Sequence, residues 1–403
     1  MRHATKVRLY PTPEQAQLLD RQFGAVRFVY NKSLHIIRHA YRYHGLSLKA
    51  SRDIKPLLAV AKRSRKYAWL KEFDSMALQE ACRHLDTAFA NFFNPNHPAR
   101  FPRFKSRRAR QSSYHCTGQT RVGGDCVAIP KIGEIPAVIH RDIVGELKSV
   151  TLSKTTTGEY YAAILTEDGE SVPTAIADVA HESVIGIDMG LSHLLVDDRG
   201  KKTANPRYLR RAESNLRRKQ KALSRKQRGS ANREKARHQV ARCHEKVARC
   251  RHDHQHKLSK QLVDENQAIV VETLSIKRMQ QDERLAKAIA DAGWHSLVTK
   301  LAYKAERAGK HLVQVEPYYP SSKRCSYCGA VKEQLTLNER AWTCASCQAW
   351  HDRDINAACN LKHQGILDLK AAGLVVSAPG GLCKTRSMRA TACEVGSSAL
   401  AQA

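Results

Sequence analysis

The sequence lacks long apolar runs, an apolar leader and a balance of charge. No segment approaches roughly 18 consecutive apolar residues, which excludes a membrane-spanning helix. The opening MRHATKVRLYP has no apolar signal core, so we expect an intracellular protein, cytoplasmic and nucleoid-associated, with no membrane partner. Acidic residues are few: 38 Asp and Glu stand against 68 Lys and Arg, a formal net charge of +30. That excess predicts a polyanionic partner, with nucleic acid ahead of an acidic membrane face.

Length and composition indicate a globular chain with more than one domain. The 403 residues exceed what one hydrophobic core usually serves, so two or three domains are expected. Hydrophobic residues make up 42% and charged residues 26%, which is typical of folded proteins. Twelve cysteines would allow disulfides, but clustered cysteines in a reducing compartment more often bind metal.

The N-terminal part of the chain predicts a strand, then helices, then short strands. Residues 6–10 alternate apolar and polar side chains, as a strand does. The TPEQ segment that follows is a capping box with proline at the first helical position, and Gly24 and Gly45 are expected to end two successive helices. Apolar spacing predicts a third helix near 78–92, and β-like runs over 121–166 predict a small barrel or sheet.

Two segments are candidates for contact with nucleic acid. RFPRFKSRRAR, which contains Arg103 and Lys105, has six basic residues, two Phe and no acid over 100–110. A solvated loop is one interpretation, and the interleaved aromatics favour a segment that grips phosphates and stacks on bases. Residues 201–260 contain 21 Lys and Arg against four Asp and Glu. Two helices turning at Gly229 are predicted, with a phosphate-facing surface preferred over a merely solvated one.

Four cysteines have the spacing of a structural metal site. Two CxxC pairs are separated by 15 residues, and each CxxC turn can aim two thiolates inward toward a tetrahedral Zn²⁺. Four thiolates leave no open position for water, so we expect a structural zinc ribbon and no catalytic zinc. The alternative is four reduced structural cysteines. The four are Cys325, Cys328, Cys344 and Cys347.

Three acids are candidates for a catalytic metal site. Asp188 and Glu272 each end a short apolar run in a predicted mixed α/β core, and a carboxylate there is costly unless it is paired or binds a metal. Asp354 lies at a predicted helix start together with Asp352, and either of these two acids could be the N-cap of that helix instead. Three such acids can hold two Mg²⁺ ions about 4 Å apart for in-line phosphodiester cleavage.

Several motifs resemble those of the TnpB proteins of insertion sequences, compact relatives of the type V CRISPR effectors. The similar segments include GIDMG (186–190), VVETL (270–274), PSSKRCSYCG (320–329), WTCASC (342–347) and HDRDINAACNL (351–361), together with KVRLYPTPEQ, RFVYNKSL and FPRFKSRR. The similarity covers roughly 4–370 in order. It implies an RNA-guided DNA endonuclease that acts as a monomeric ribonucleoprotein, whose guide RNA comes from the transposon end and whose target is double-stranded DNA.

The resemblance also implies a multi-domain α+β architecture. A wedge-type β-barrel would take residues 1–12 and 95–180, with a helical, helix-turn-helix-like recognition lobe inserted at 13–94. A RuvC-like nuclease domain of the RNase H fold would take 181–320 and 350–370, with the basic hairpin at 201–262. A zinc ribbon would occupy 321–349, and 371–403 would be a disordered tail.

Individual residues carry over by position. Asp188, Glu272 and Asp354 match the nuclease triad, which binds Mg²⁺ or Mn²⁺, and the four cysteines match the zinc ribbon. Gln79 matches a position that reads the short DNA motif beside the target. Further nucleic-acid contacts are expected at Arg103, Lys105, Arg217, Arg218 and Lys219. One departure is Gln348, where a glycine commonly follows the last zinc cysteine, which leaves the local turn open.

Two other functions remain alternatives. A nuclease-inactive relative would act as an RNA-guided DNA-binding repressor, but such a protein should have lost at least one acid of the triad. A DNA transposase of the RNase H fold would use the same acids for strand transfer, so the acids alone do not separate it from a nuclease. The zinc ribbon between the strand at 311–315 and Asp354 favours the guided nuclease.

Overall fold

The computed structural model describes residues 1–107, 111–336 and 338–377. The chain divides into two compact units, Met1–Ser171 and Val172–Ala403. Within the described ranges, no helix combines the length and apolarity needed to cross a bilayer.

The N-terminal unit contains a seven-stranded antiparallel sheet in the order β2-β6-β7-β1-β5-β4-β3. The predicted sheet over 121–166 is thus confirmed, and the N-terminal strand lies at its centre. Alternate side chains of these strands enter one hydrophobic core with the helices of the unit. The strands are β1 (Arg2–Leu9), β2 (Gln111–Cys116), β3 (Arg121–Gly123), β4 (Cys126–Ile129), β5 (Gly133–Val138), β6 (Glu146–Thr155) and β7 (Tyr160–Glu167).

The first helix of this unit differs from its prediction. The capping box is confirmed, with the Gln15 N–H donating to Thr12 Oγ1 at 3.3 Å, but the break expected at Gly24 is wrong. The helix runs through Gly24 and ends at Gly45, whose φ is 63°. An interior glycine costs about 1 kcal/mol, and the buried stripe that continues on both sides of it outweighs that cost. The helices are α1 (Pro13–His44), α2 (Leu57–Ala61) and α3 (Ser75–Phe93).

The C-terminal unit is built on a five-stranded mixed sheet in the order β11-β10-β9-β12-β13. The strands β9, β12 and β13 are parallel, whereas β10 runs antiparallel to β9, which confirms the predicted hairpin. The remaining strands form two-stranded pairs. The strands are β8 (Asp178–Ala180), β9 (Val184–Asp188), β10 (His193–Asp197), β11 (Lys202–Ala204), β12 (Ala268–Glu272), β13 (His311–Val315), β14 (Ala341–Thr343), β15 (Trp350–Asp352) and β16 (Val375–Ser377).

Helices cover both faces of this sheet. Residues from α5, α7 and α8 share one core with Ile187 and Val271, and residues of α9 share the other with Val270. Close approach of α9 requires glycine, because a Cβ on Gly186 would lie 2.1 Å from the Ala358 carbonyl oxygen. The helices are α4 (Tyr208–Ser224), α5 (Ala231–Glu265), α6 (Ile276–Met279), α7 (Glu283–Ala292), α8 (Trp294–Arg307) and α9 (Arg353–Ala371).

Two further predictions concern the basic hairpin and the tail. The two helices turning at Gly229 are confirmed as α4 and α5, and Gly229 has a φ of 88°. Disorder immediately after Ala371 is wrong for β16, which pairs in parallel with β8. The rest of the predicted tail, 378–403, lies outside the described residues.

Candidate active site and metal centre

Two carboxylates end neighbouring strands of the C-terminal sheet. Asp188 is the last residue of β9, and Glu272 is the last residue of β12. The pairing of Ile187 with Val271 puts the two acids at the next position of the same parallel ladder. Adjacent strands lie about 4.8 Å apart. The register therefore brings these two predicted acids to one edge of the sheet.

The third acid comes from helix α9, which packs on the face of the C-terminal sheet toward which Asp188 points. Ile187 belongs to the core on the opposite face, so strand alternation turns Asp188 toward α9. Asp354 lies in the first turn of that helix. Burial, then the negative charge of Asp354 and then that of Glu272, together raise the pKa of Asp188 to about 7. Burial also raises the pKa of Glu272, so the three acids form one electrostatic site.

Asp352 has a different environment from Asp354. Its Oδ1 atom accepts hydrogen bonds from the N–H groups of Asp354 and Ile355, at 3.0 and 3.2 Å, which makes it the N-cap of α9. Its Oδ2 atom lies 2.6 Å from the Lys202 ammonium. Burial opposes ionisation of Asp352, but Lys202 and the two backbone donors outweigh it and lower the pKa. The structure thus assigns the capping role to Asp352 and leaves the Asp354 carboxylate for the acidic site.

The acidic site has the ligands of a hard divalent cation. Crowded, partly buried carboxylates repel one another unless a proton or a cation compensates them, and oxygen ligands suit Mg²⁺ or Mn²⁺. Within the described ranges, four cysteines form the only group of three or more His, Cys, Asp or Glu residues whose ligand atoms all lie within 4.8 Å of one another. The three acids are therefore spread more widely than the ligands of a single caged ion.

The raised pKa of Asp188 predicts how stability depends on pH without metal. The folded protein keeps a proton up to about pH 7 that the unfolded chain releases near pH 4. Folding stability should therefore fall as the pH rises from about 4 to 7, by an amount on the order of 4 kcal/mol. In EDTA, Asp188→Asn should unfold several degrees above the wild type at pH 8, and the difference should vanish near pH 4. Equal melting temperatures at pH 8 would contradict this.

The four predicted cysteines converge in a hairpin between β13 and α9. Their sulfur atoms all lie within 4.8 Å of one another, and the Sγ–Sγ distances are 3.6 Å for Cys325–Cys347 and for Cys328–Cys344. The backbone N–H of Cys347, more than any other group, lowers the pKa of Cys344 to about 6. Four converging cysteine thiols are the donor set that Zn²⁺ prefers in structural sites. Only a small hydrophobic cluster surrounds them.

Each CxxC pair lies in the same kind of turn. In both turns, the N–H of the residue after the second cysteine donates to the carbonyl of the first cysteine at 2.9 Å. That residue is Gly329 in the first turn, with a φ of 77°, and Gln348 in the second, with a φ of 61°. A side chain in this left-handed conformation costs about 1 kcal/mol. Gln348 therefore adopts the same turn conformation as Gly329, although it replaces the glycine that commonly follows the last cysteine.

A pair of asparagines joins the cysteine hairpin to α9, and sequence reasoning missed them. The side-chain amides of Asn356 and Asn360 both donate to the carbonyl of Arg324, at 2.7 and 2.6 Å. Asn356 also accepts from the N–H of Ser326 at 2.9 Å. Both asparagines are buried, and their spacing of four residues on an apolar helix face was the available signal. They tie the first CxxC turn to the helix that carries Asp354.

Asp198, which follows β10, also connects the sheet of the site to helix α9. It accepts from the Gly186 N–H at 2.9 Å and pairs with Lys362 of α9 at 2.9 Å. Its side chain is 7% exposed, so loss of one partner would leave a buried charge unpaired. Asp197 stabilises the turn after β10, because it accepts from the N–H groups of Arg199 and Lys201.

The predicted contacts on the basic hairpin lie on its surface. Arg217 and Arg218 are exposed, and Lys219 is half-buried. All four acids of 201–260 already have a neighbouring cation: Glu213 with Arg217, Glu234 with Arg237, Glu245 with Arg249 and Asp253 with Lys257. Each acid thus forms an ion pair with a cation of its own helix, and the excess positive charge faces outward.

The predicted contacts in the N-terminal unit have mixed surroundings. Gln79 is half-buried on α3, and Arg103 is exposed. The Lys105 ammonium lies 4.2 Å from the centre of the Tyr30 ring, and its removal from water lowers its pKa. The backbone of Lys105 is held by the Asn31 side chain through hydrogen bonds of 2.7 and 3.0 Å. This segment is therefore pinned to α1 and is less free than a solvated loop.

Family sequence models match three parts of the chain. A family described as a probable transposase, OrfB of IS605, matches 166–283. A Cas12f1-like TNB domain matches 294–361, which includes the cysteine hairpin and the start of α9. A helix-turn-helix domain of the same OrfB family matches 1–45. Within that last range the structure has one strand and one continuous helix.

Whole-chain relatives agree with these matches. A candidate RNA-guided DNA endonuclease of Streptomyces pristinaespiralis is 39% identical over 385 residues, which is 94% of this chain and 91% of that protein. InsQ, a candidate RNA-guided DNA endonuclease of Escherichia coli, is 28% identical over 93% of this chain and 95% of its own. A cryo-electron-microscopy structure of a Cas12f1–sgRNA–target DNA complex has a TM-score of 0.52 at 12% identity, over 87% of this chain and 83% of that one.

The chain has a mixed sheet with an acidic edge and an inserted four-cysteine hairpin, and it shares the overall fold of Cas12f1. These features define its class as proteins with a Cas12f1-like fold. The chain belongs to the TnpB family, the OrfB proteins of IS605-type insertion sequences. The resemblance expected from the sequence motifs is confirmed.

Proposed function

We propose that this protein is an RNA-guided DNA endonuclease of an insertion sequence, which cuts double-stranded DNA beside a short flanking motif. The observation that carries the proposal is the electrostatic coupling of Asp188, Glu272 and Asp354 at one sheet edge. The relatives' names support the same activity. Guide pairing would read the target sequence, and the protein would read the flanking motif and the shape of the heteroduplex.

The three acids would hold two divalent cations, and the four cysteines would hold one Zn²⁺. The chemistry supplied by two bound Mg²⁺ or Mn²⁺ ions would be activation of water and stabilisation of the leaving 3′ oxygen. The protein itself would position these acids. The pairing of β9 with β12 places Asp188 beside Glu272, and the Asp352 cap fixes the first turn of α9, which carries Asp354. The hydrogen bond from Asn356 to the Arg324 carbonyl connects that turn to the cysteine hairpin.

The domain roles follow from this assignment. The C-terminal sheet with its helices would be the RuvC-like nuclease domain of the RNase H fold, with the cysteine hairpin as its zinc ribbon. The N-terminal sheet would be the wedge-type barrel, and α1 to α3 the recognition lobe. There Gln79 would read the flanking motif, while Arg103 and Lys105 would contact nucleic acid. The complex would be one protein with one guide RNA from the transposon end, acting at the bacterial nucleoid.

Copurifying RNA and cleavage assays test the proposal. We expect RNA of one defined sequence to copurify with the protein, and the complex to cut plasmids that carry a matching target beside the flanking motif. A plasmid with a scrambled target is the control. A transposase would instead join strands without regard to the guide, and an inactive repressor would bind the matched plasmid and leave it intact. Either result would overturn the proposed activity.

The basic hairpin gives a prediction about binding to the guide or the guide–target duplex. Substituting Arg217, Arg218 and Lys219 together with Glu should weaken binding of every target alike, because the helices would grip phosphates and recognise A-form shape. The dependence of log affinity on log salt should also flatten, since fewer counterions are released.

Filter binding over a salt series measures both effects, and the zinc content is the control, because none of the four cysteines lies in this stretch. A change in which flanking motif is accepted would show that the hairpin reads bases, contrary to this assignment.

A further inference from the structure

A cationic cavity lies beside the candidate active site and has no role so far. Its volume is 460 Å³, within the range of small-ligand sites. It is formed where the start of β10, the end of β11 and the start of α4 meet. The polar residues that line it are Ser192, His193, Asn205, Arg207, Arg210 and Arg211.

The lining is of one charge sign. None of the residues that line the cavity, all in the described part of the chain, is Asp or Glu. Arg210 and Arg211 are exposed and take part in no ion pair among the described residues. An adjacent cavity does contain acids, but there Glu213 pairs with Lys287 and Asp291 pairs with Arg251. Arg207 and Arg210 line both cavities, whereas Arg211 lines only the first of the two.

A buried polar atom also lies at the cavity wall. The Nδ1 atom of His193 is buried and has no hydrogen-bond partner in the described structure. Because this atom is shielded from solvent, a ligand in the cavity would meet the exposed arginines and not this nitrogen.

The surrounding structure fixes the cavity rather than leaving it to flexible side chains. Arg207 has a left-handed φ of 49° and donates to the Leu191 carbonyl at 3.5 Å, and Asn205 donates to the same carbonyl at 3.0 Å. Asp291 accepts from the N–H groups of Leu209 and Arg210, which anchors the first turn of α4. Asp291 thereby uses the backbone donors of that helix end, so an anion in the cavity would be bound by side chains.

The cavity lies past the edge of the sheet that carries the acids. Val196 of β10 pairs with Asp188, so His193 lies three positions beyond that acid on the same hairpin. At about 3.3 Å per residue, this separation is roughly 10 Å. The three acids repel a phosphodiester chain, and positive charge at this distance can hold the strand on one side of the bond that is cut.

We propose that this cavity binds a backbone phosphate of the DNA strand being cleaved, next to the scissile bond, through Arg210 and Arg211. The inference rests on the proposed nuclease function and adds a strand-positioning site to it. Guanidinium groups bind phosphate through bidentate, charge-assisted hydrogen bonds. Arg210 and Arg211 act by positioning, and the reacting groups remain at the acidic edge.

The test compares two pairs of arginine substitutions on the same hairpin. Arg210→Gln with Arg211→Gln removes the charges at the cavity, and Arg225→Gln with Arg228→Gln removes two exposed charges near the distant turn. In the first assay, the protein carries Asp188→Ala and binds a fluorescent ten-nucleotide single strand without guide. We expect about 10-fold weaker binding for the cavity pair and a smaller loss for the control pair. Equal losses would overturn the proposal.

The second assay uses cleavage by the protein with its guide RNA. Single methylphosphonates, which remove one backbone charge at a time, are placed along each strand of a matched duplex. With wild-type protein, one position near the cut should slow cleavage about 10-fold. The cavity pair should lose sensitivity at that position only, whereas the control pair should keep the wild-type pattern.

An unchanged interference pattern in the cavity pair would overturn the proposed site. If the wild-type complex cuts no matched target, the nuclease function fails, and the binding assay still decides whether the cavity holds a phosphate. Melting curves of all variants verify that they are folded.

Discussion

Asp188→Ala should abolish DNA cleavage while leaving guide-dependent DNA binding largely intact. Asp188 lies at the centre of the acidic site, where burial and the charges of Asp354 and Glu272 raise its pKa to about 7. Without it the site would lose a proposed cation ligand and no proposed contact to nucleic acid. We expect cleavage to fall by a factor on the order of 10³ or more. Single-turnover cleavage rates and electrophoretic mobility shifts, measured on the same preparation, separate the two activities.

Glu272→Ala and Asp354→Ala should behave in the same way, and the triple variant should be no worse than any single one. Residues that act as one unit lose their function together, so their effects do not add. Asp352→Ala is the matched comparison, because it removes the cap of α9 and the pairing with Lys202 but leaves Asp354 in place. It should lower stability by about 1 kcal/mol and reduce cleavage less. Full cleavage by Asp354→Ala with loss in Asp352→Ala would reverse the assignment of these two acids.

Removal of the zinc should also eliminate cleavage, although no cysteine belongs to the acidic site. The hairpin around the four thiols has a core of a few side chains, too little to fold without metal. Its first turn is tied to α9 by Asn356 and Asn360, so loss of the hairpin should displace Asp354. We expect Cys328→Ser to lower zinc content from one per chain and to reduce cleavage strongly. Elemental analysis with an activity assay on the same sample measures both.

A matched control uses a cysteine outside the hairpin. Cys250 lies on α5 and is partly exposed, so Cys250→Ser should leave zinc content and cleavage unchanged. Asn356→Ala provides a second comparison: it keeps all four thiols, and so should retain zinc, but removes the hydrogen bond to the Arg324 carbonyl and should lower cleavage. Fully active wild-type protein without zinc would contradict the structural role of the metal.

The sequence by itself determined the features that depend on neighbours along the chain. The two CxxC turns, the capping box before α1 and the reversal at Gly229 each depend on a few adjacent residues. The strand-tip acids were also recognisable, because Asp188 and Glu272 each follow an apolar run whose length matches a buried strand. The positive charge of 201–260 likewise required only counting.

Contacts between distant segments decided the rest. The cap hydrogen bonds assign Asp352 to the start of α9, and the packing of α9 brings Asp354 close enough to raise the pKa of Asp188. In a local sequence window the two acids look alike, and only the family resemblance favoured Asp354. Helix α1 continues through Gly24 since a shared core on both sides outweighs the local preference of glycine. Asn356 and Asn360 can donate to the Arg324 carbonyl only when the cysteine hairpin packs against α9. Local chemistry selects the turns and ligands, whereas burial and long-range pairing select which of several similar residues takes each role.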